Sequence, residues 1–324
     1  MEVRQGRSIE VAAPAVFGAE VNAGRVDRRL ASPIIATPWL TADTSEAVLE
    51  IPGTARFHIW RGRHIRVQAM PGVPTSVIRM WLEGMVASLV LIQQRRFALH
   101  ASTVRIGSRL VAIAGQSGAG KSTTAALLAG RDHPIVTDEV TAVDFPVGEG
   151  GVIPTVCPSG RRLRLRRETV DRLGMDGDGG EEIIGTGKLG FPLVAPDHDD
   201  LPLGLIVVLR PVGGETAPAV HKLTGPAALT ALIVNTLRPY FCLLQRQAHL
   251  QWIAALAGAV PVVQVDRPSS RWTGSVVATL IEEMAAADGP DGGMPRYDRA
   301  AAPHPMLCVG GRHQDQIGDG GVCA

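Results

Sequence analysis

The chain has 324 residues, of which 45% are hydrophobic, and it carries a formal net charge of only +1. That length accommodates one large domain, or one domain with a small satellite. Because the charge is almost balanced, the composition gives no indication of nucleic acid or an anionic membrane as the main partner. The four cysteines are scattered and match neither a disulfide framework nor a zinc site, which is typical of a reducing compartment.

The start of the chain and its apolar stretches bear on localisation. Residues 1–18 lack the continuous apolar core of a signal peptide. The most apolar stretch, residues 85–92, is shorter than the ~20 residues that a helix needs to cross a bilayer. We therefore expect a cytoplasmic protein without a membrane partner.

Residues 1–73 are expected to form a small β-rich domain. Within them, residues 57–69 alternate apolar and polar side chains on either side of Arg61-Gly62-Arg63, a pattern typical of a β-hairpin. After Pro74, apolar residues recur at helical spacing, which predicts a connecting helix over residues 74–96.

Residues 97–287 alternate predicted strands and helices, which indicates an α/β domain. A hairpin leads into a glycine-rich loop and a helix. Further strands are predicted at 134–137, 203–211 and 259–265, and helices at 226–246, at 248–258 and after a Ser269 or Ser270 cap. Residues 288–324 are rich in glycine, proline and polar residues, so we expect a flexible tail.

Residues 115–122, GQSGAGKS, fit the phosphate-loop pattern G-x-x-x-x-G-K-[ST] between an apolar strand and a helix-forming run. Glycines let backbone N–H groups turn towards phosphate oxygens, and the N-terminus of the next helix points its dipole at the same anion. Lys121 would neutralise the β- and γ-phosphates, and Ser122 would offer its hydroxyl to Mg²⁺. The predicted nucleoside triphosphate site comprises Gly115, Gln116, Ser117, Gly118, Ala119, Gly120, Lys121, Ser122 and Thr123.

A histidine, His100, stands at the head of the hairpin that leads into this loop. A two-residue turn at Gly107-Ser108 would place His100 opposite Gly115, the first glycine of the loop. That register predicts an imidazole within reach of the phosphates or of the transferred group, and a one-residue slip would turn the side chain away. The alternative is a structural histidine at a strand end.

Two consecutive carboxylates, Asp138 and Glu139, follow the short apolar strand at 134–137. Ligands of open α/β sheets gather at the carboxyl ends of strands, so Asp138 is expected to face the loop, as an Mg²⁺ ligand or as the acceptor of a hydroxyl proton. Successive strand residues point to opposite sides, so Glu139 is expected to act through water or structurally.

The order of these motifs, LHAS, a hairpin, GQSGAGKST and then HPIVTDEV, resembles the HPr kinase/phosphorylase family. The further segment CPSGRRLRLRRE at 157–168 makes the layout most similar to its relatives encoded with lasso-peptide biosynthesis. The resemblance implies a fold of the HPr kinase C-terminal type, which is a P-loop domain similar to phosphoenolpyruvate carboxykinases, with a small β-rich N-terminal domain. It also implies a serine kinase that acts on a precursor peptide at its C-terminal serine.

When the family's functional residues are matched to this sequence by position, the resemblance implies that Asp138 is the base and that His100 lies at the transferred phosphate. It also implies that Lys121 and Ser122 bind the nucleotide and Mg²⁺. Glu139 stands where HPr kinases have a second aspartate and completes the predicted Mg²⁺ ligands. The chain has no clear counterpart of the Glu-Ile-Arg-Gly signature of HPr kinases proper. The resemblance therefore does not extend to HPr as the substrate.

Five arginines occur in residues 161–167. On a strand, Arg162, Arg164 and Arg166 would share one face, and Arg164 is predicted to bind the γ-phosphate or a peptide carboxylate. The alternative for most of the five is a solvated strand face. Lys188 is a further candidate cation near the phosphates, and an inert surface lysine is its alternative.

Two acidic segments suggest metal sites at first sight. The segment DGDGGEE at 176–182 fails as a calcium loop, because glycine stands at residue 187 where the motif needs glutamate. We interpret it as a mobile loop, and DHDD at 197–200 as a polar loop between strands.

The sequence thus predicts an ATP- and Mg²⁺-dependent serine kinase of the HPr kinase type that modifies a ribosomally made peptide. One alternative is a kinase of a small hydroxyl metabolite such as free serine. The other is an accessory module that binds ATP without transferring phosphate. Asp138 and His100 argue against that module, because a protein that only binds ATP needs neither.

Overall fold

The computed structural model describes residues 16–148, 151–157, 162–183, 185–193, 202–214 and 217–287. Over these ranges the chain is a mixed α/β protein with several sheets. The predicted tail at 288–324, the DHDD segment and Arg161 lie outside the described residues.

The first sheet has six strands in the order β1-β6-β5-β4-β3-β2. Its strands are β1 (Glu20–Ala23), β2 (Ile35–Ala36), β3 (Leu40–Ala42), β4 (Glu46–Ile51), β5 (Ala55–Trp60) and β6 (His64–Ala69). The β5–β6 hairpin confirms the alternation in the sequence, with Phe57 opposite Val67 and Ile59 opposite Ile65. Residues 61–63 connect the paired Trp60 and His64, and Arg61 and Gly62 in this turn both have positive φ, 53° and 60°.

The predicted connecting helix is confirmed as α1 (Thr75–Trp81), a π-helical turn (Leu82–Val86) and α2 (Ala87–Gln93) in direct succession. Among the described residues, this stretch is the one helix whose length and composition would suffice to cross a membrane, with a mean hydropathy of 1.5. Leu82, Val86, Leu89 and Val90 are at most 1% exposed and pack into the main core. The apolar side chains of this helix are therefore buried in the core of the protein.

The remaining strands and helices follow in chain order. The strands are β7 (Phe97–Leu99), β8 (Ala101–Ile106), β9 (Arg109–Gly115), β10 (Ile135–Thr137), β11 (Thr141–Asp144), β12 (Val147–Gly148), β13 (Gly151–Val152), β14 (Thr155–Cys157), β15 (Arg162–Arg166), β16 (Glu181–Ile183), β17 (Lys188–Pro192), β18 (Leu203–Val212), β19 (Ala219–Leu223) and β20 (Val262–Pro268). The helices are α3 (Lys121–Ala129), α4 (Arg167–Leu173), α5 (Gly225–Val234), α6 (Arg246–Ala259) and α7 (Gly274–Ala287), with 3-10 turns at Gly177–Gly179 and Phe241–Gln245.

The second sheet has the order β10-β8-β9-β18-β20-β19, in which β9, β18 and β20 run parallel. Alternate residues of its strands enter two different cores. Val111 and Ile113 pack with α3 and α7, whereas Ala112 and Ala114 pack with α5, α6, the connecting helix and the first sheet. One continuous apolar cluster thus joins the first sheet to one face of the second.

The β8–β9 hairpin has the predicted register, with Ile106 opposite Arg109 and Ala101 opposite Ala114. The arginine strand β15 is also confirmed, because Leu163 and Leu165 are 4% and 1% exposed on one face of the sheet β15-β17-β16. The segment at 176–182, interpreted as a loop, continues into strand β16 at Glu181.

Two helix predictions were wrong. The helix predicted over 226–246 ends at Val234, because the next residues pair with the chain beside β7: His100 donates to Asn235 O at 2.8 Å and Leu237 to Ala98 O at 2.8 Å. The last helix starts at Gly274 rather than after a serine cap. The hydroxyls of Ser269 and Ser270 donate instead to carbonyls in the turn after β18.

Candidate active site

Residues 115–122, named here the glycine loop, connect β9 to α3 at the carboxyl end of β9. Gly115, Gly118 and Gly120 have φ of 146°, 82° and 101°, a region that favours glycine. A Cβ on Gly115 would lie 2.7 Å from the Leu209 carbonyl oxygen of β18, so the strand packing also requires glycine there. Gln116, Ser117 and Gly118 are exposed, which leaves the loop open to a ligand.

Lys121 begins α3 and is 7% exposed. Its ammonium donates to the carbonyl oxygens of Gly115 at 2.8 Å and Gln116 at 3.2 Å. Burial lowers the pKa of Lys121, and the charges of Asp138 and Glu139 oppose that shift. The Lys121 side chain thus folds back onto the glycine loop, and its ammonium group lies at the centre of the loop.

Asp138 directly follows β10, is 4% exposed and accepts three hydrogen bonds. Its Oδ1 accepts from Ser102 Oγ at 2.6 Å and Ser122 Oγ at 2.9 Å, and its Oδ2 accepts from the Arg164 backbone N–H at 3.0 Å. The carboxylate therefore ties β8, α3 and β15 together. Burial raises the pKa of Asp138, and the hydrogen bond from Ser102 is the largest opposing effect.

Glu139 lies in the same site, contrary to the expectation that it faces away from Asp138. Strand alternation does not apply, because β10 ends at Thr137 and Glu139 has a left-handed φ of 70°. Its carboxylate accepts from Arg164 Nη1 at 2.7 Å and lies 3.7 Å from Lys188 Nζ. Burial alone would raise the pKa of Glu139, but the surrounding cations, Arg164 first among them, lower it.

Arg164 is held between two carboxylates. Besides its bond to Glu139, its Nη2 donates to Glu83 Oε2 at 3.0 Å. Glu83 belongs to the π-helical turn of the connecting helix, a distortion that often marks functional sites. The positive charge of Arg164 is thus balanced within the protein, and its contacts indicate a positioning residue for the two acidic side chains. Its predicted binding of phosphate or carboxylate stays a prediction.

His100 lies one residue before the β8–β9 pairing begins at Ala101, and its backbone N–H donates to the Asn235 carbonyl oxygen at 2.8 Å. Its Nδ1 lies 3.2 Å from the Glu139 carbonyl oxygen, which can only accept, so Nδ1 carries the proton. Burial lowers the pKa of His100, and the nearby Lys121 lowers it further. The imidazole is therefore neutral near pH 7, with an unprotonated Nε2.

Several residues of the site were missed by the sequence analysis. Ser102 could have been found, because it lies two residues after His100 on the same predicted strand. Glu83 and Arg267 carried no local signal. Arg267, on β20, donates from Nε to the Ala119 carbonyl at 2.8 Å and so contacts the glycine loop from a strand that lies beyond β18 in the sheet.

The arrangement fits a nucleoside triphosphate with a divalent cation. The glycines form a cradle, Lys121 lies at its centre, and the Ser122 hydroxyl is held by the carboxylate of Asp138. Within the described ranges, no cluster of three or more His, Cys, Asp or Glu side chains could hold a metal ion by itself. Ser122, Asp138 and Glu139 stay the predicted Mg²⁺ ligands.

No family model and no curated protein matches this chain. One similar solved structure is the HPr(Ser) kinase/phosphatase from Coxiella burnetii, at 14% sequence identity and a TM-score of 0.30. The match covers 59% of this chain and 97% of that chain. At this TM-score, neither the activity nor the substrate of that enzyme carries over to the present chain.

Proposed function

We propose that this protein is a serine kinase that transfers the γ-phosphoryl group of ATP to a hydroxyl, with Mg²⁺, in the manner of HPr kinases. The observation that carries this proposal is the bonding of Asp138. One buried carboxylate holds the hydroxyl of Ser122 in the glycine loop and lies next to the cation-rich surroundings of Glu139. A protein that only binds ATP has no use for a buried carboxylate of raised pKa beside the phosphates.

In this proposal the glycine loop and Lys121 bind the phosphates. Ser122 and Glu139 would hold Mg²⁺, with Asp138 acting on the ion through the Ser122 hydroxyl, and the ion would neutralise charge on the phosphate oxygens. Phosphoryl transfer asks the protein mainly for positioning and charge neutralisation. The acceptor oxygen forms a bond to the γ-phosphorus, the bond from that phosphorus to the β–γ bridging oxygen breaks, and ADP leaves.

Asp138 takes the proton of the acceptor hydroxyl. Its Oδ2 accepts a single hydrogen bond among the described residues, from the Arg164 backbone, and so retains a lone pair for that proton. Because burial raises the pKa of Asp138, it is a stronger base than an exposed aspartate. His100 is neutral at rest, and an arriving phosphate favours its protonated form, which would donate to the transferred group.

The acceptor class comes from the motif order. Its similarity to kinases encoded with lasso-peptide biosynthesis favours a ribosomal precursor peptide with a C-terminal serine, modified in the cytoplasm. In the same proposal, residues 97–287 form the catalytic domain, and residues 1–73 form the N-terminal domain, joined by the helix at 74–96.

The test uses γ-labelled ATP with Mg²⁺ and the peptide acetyl-Gly-Leu-Ser, against acetyl-Gly-Leu-Ala, free serine and no acceptor. We expect label on the serine peptide and none on the alanine peptide, and no transfer by Lys121→Met. Label on free serine alone would replace the peptide kinase with a metabolite kinase. ATP binding without transfer to any acceptor would replace it with an accessory module.

A further inference from the structure

Arg238 enters the site through a segment that looked helical in sequence. Residues 235–237 run beside the chain at 98–100, with hydrogen bonds from His100 to Asn235 and from Leu237 to Ala98, and with Leu99 bridged to Thr236. Arg238 follows at once, with a left-handed φ of 49°. This long-range pairing places Asn235 opposite His100, and the charge of Arg238, three residues further along the chain, acts on His100.

Arg238 is the unmatched cation of the site. In the part of the chain that the structure describes, no carboxylate lies within ion-pair distance of its guanidinium, and it donates no hydrogen bond. The other cations are occupied: Lys121 and Arg267 by carbonyls, Arg164 and Lys188 by carboxylates. An arginine of this kind can bind a planar anion without first breaking a contact.

Arg238 lies at the solvent-facing edge of the site. Lys121, on the nucleotide side, interacts electrostatically with Asp138, Glu139 and Lys188. Arg238 also acts on Glu139 and on His100, and the charge of Lys121 acts on His100 as well. Its segment also faces solvent, since Val234 and Tyr240 are 54% and 48% exposed. An acceptor entering from solvent would therefore meet Arg238 before it reaches the carboxylates.

We propose that Arg238 binds the α-carboxylate of an acceptor's C-terminal serine. This inference rests on the proposed function and deepens it. In a C-terminal serine the carboxylate and the hydroxyl branch from neighbouring carbons, so the group that binds the carboxylate must lie close to the base. Glu139 would repel that carboxylate unless a cation compensated, and the guanidinium of Arg238 can bind it through two parallel hydrogen bonds.

The test compares acetyl-Gly-Leu-Ser with its C-terminal amide, which keeps the hydroxyl and removes the negative charge. We expect wild type to have a kcat/KM for the acid at least about tenfold above that for the amide, the size of a charge-assisted hydrogen bond. In Arg238→Gln we expect the kcat/KM for the acid to fall to that for the amide. The kcat/KM for the amide and the KM for ATP should not change. Arg238→Lys should keep part of the preference for the acid, because the positive charge remains but the two parallel N–H donors of the guanidinium are lost. Arg246→Gln, an exposed arginine at the start of α6, is the matched control and should behave as wild type.

Other outcomes would overturn the inference. An equal kcat/KM for the acid and the amide in wild type would show that no group of the site binds the carboxylate. Equal losses for both peptides in Arg238→Gln, or a raised KM for ATP, would assign Arg238 to the phosphates. If no acceptor is phosphorylated, the proposed function fails, and calorimetric binding of the two peptides with ADP and Mg²⁺ decides the inference alone. Tighter binding of the acid, lost in Arg238→Gln, supports it, and equal binding contradicts it.

Discussion

Asp138 and Glu139 are adjacent in the chain and have opposite environments. Asp138 is 4% exposed and bonded to two hydroxyls and an amide, all uncharged donors. The side chain of Glu139 is 26% exposed and lies among Arg164 and Lys188. Accordingly, burial raises the pKa of Asp138, whereas the cations around Glu139 outweigh burial and lower its pKa. Paired acids whose pKa values are driven apart take different chemical roles.

The two carboxylates also contribute to stability in opposite pH ranges. Asp138 has a raised pKa in the folded protein, so its contribution is full below its ordinary pKa and is lost as the pH rises through the raised value. Glu139 has a lowered pKa, so its contribution is present above its ordinary pKa and is lost as the pH falls through the lowered value. Ionised Glu139 therefore stabilises the fold, whereas ionised Asp138 costs stability.

The comparison is tested most strongly by Asp138→Asn against Glu139→Gln. We expect the first variant to lose about 10³-fold in single-turnover phosphoryl transfer, since general bases contribute about 10²–10⁴-fold. The second should lose about tenfold, because it weakens the binding of Mg²⁺ and disturbs the position of its neighbours but leaves the base intact. Both should still bind ATP, measured by equilibrium titration. A larger loss in Glu139→Gln would move the base role to Glu139.

A second variant tests how much the ion pairs of Glu139 contribute to the free energy of unfolding. Arg164→Ala leaves Glu83 and Glu139 without their shared partner, so we expect unfolding in urea at neutral pH to require about 2 kcal/mol less free energy. Arg166→Ala, on the same face of β15 but exposed, should cost about 0.5 kcal/mol or less. Equal losses would show that the Glu83–Arg164–Glu139 contacts do not stabilise the protein.

The elements that local sequence pattern determines were predictable. Alternation and turn residues gave the β5–β6 and β8–β9 hairpins, and the second of these placed His100 next to the glycine loop. Helical spacing gave the connecting helix, and the arginine strand has the predicted apolar face. Each of these depends on residues a few positions apart.

The rest of the site depends on contacts between distant residues. Glu83 and Arg164 are 81 residues apart, and no local pattern pairs them. The helix after Gly225 ends at Val234 because the next residues pair with residues 98–100, an override of local propensity by tertiary structure. Glu139 was expected to face away from Asp138 because its left-handed backbone was not anticipated from a run that reads as a strand. The glycine loop, His100 and Asp138 could thus be recognised as local motifs, whereas the contacts among Glu83, Arg164 and Glu139 could not.

The smallest expected effect in the comparison of Asp138 with Glu139 comes from removing one hydrogen-bond donor to the Asp138 carboxylate. Ser102→Ala deletes the hydrogen bond that most opposes the raised pKa of Asp138, so that pKa should rise further. A base works only when deprotonated, so the transfer rate should begin to fall at a higher pH than in wild type as the solution is acidified. At a pH well above the pKa of Asp138 in both proteins, the rate should change little. Ser88→Ala, which removes a buried hydroxyl bonded to the Gly84 carbonyl of the connecting helix, controls for the loss of a buried serine and should leave the profile in place. If the acid limb does not move in Ser102→Ala, the group that titrates in catalysis is not Asp138, since Ser102 bonds no other acid among the described residues.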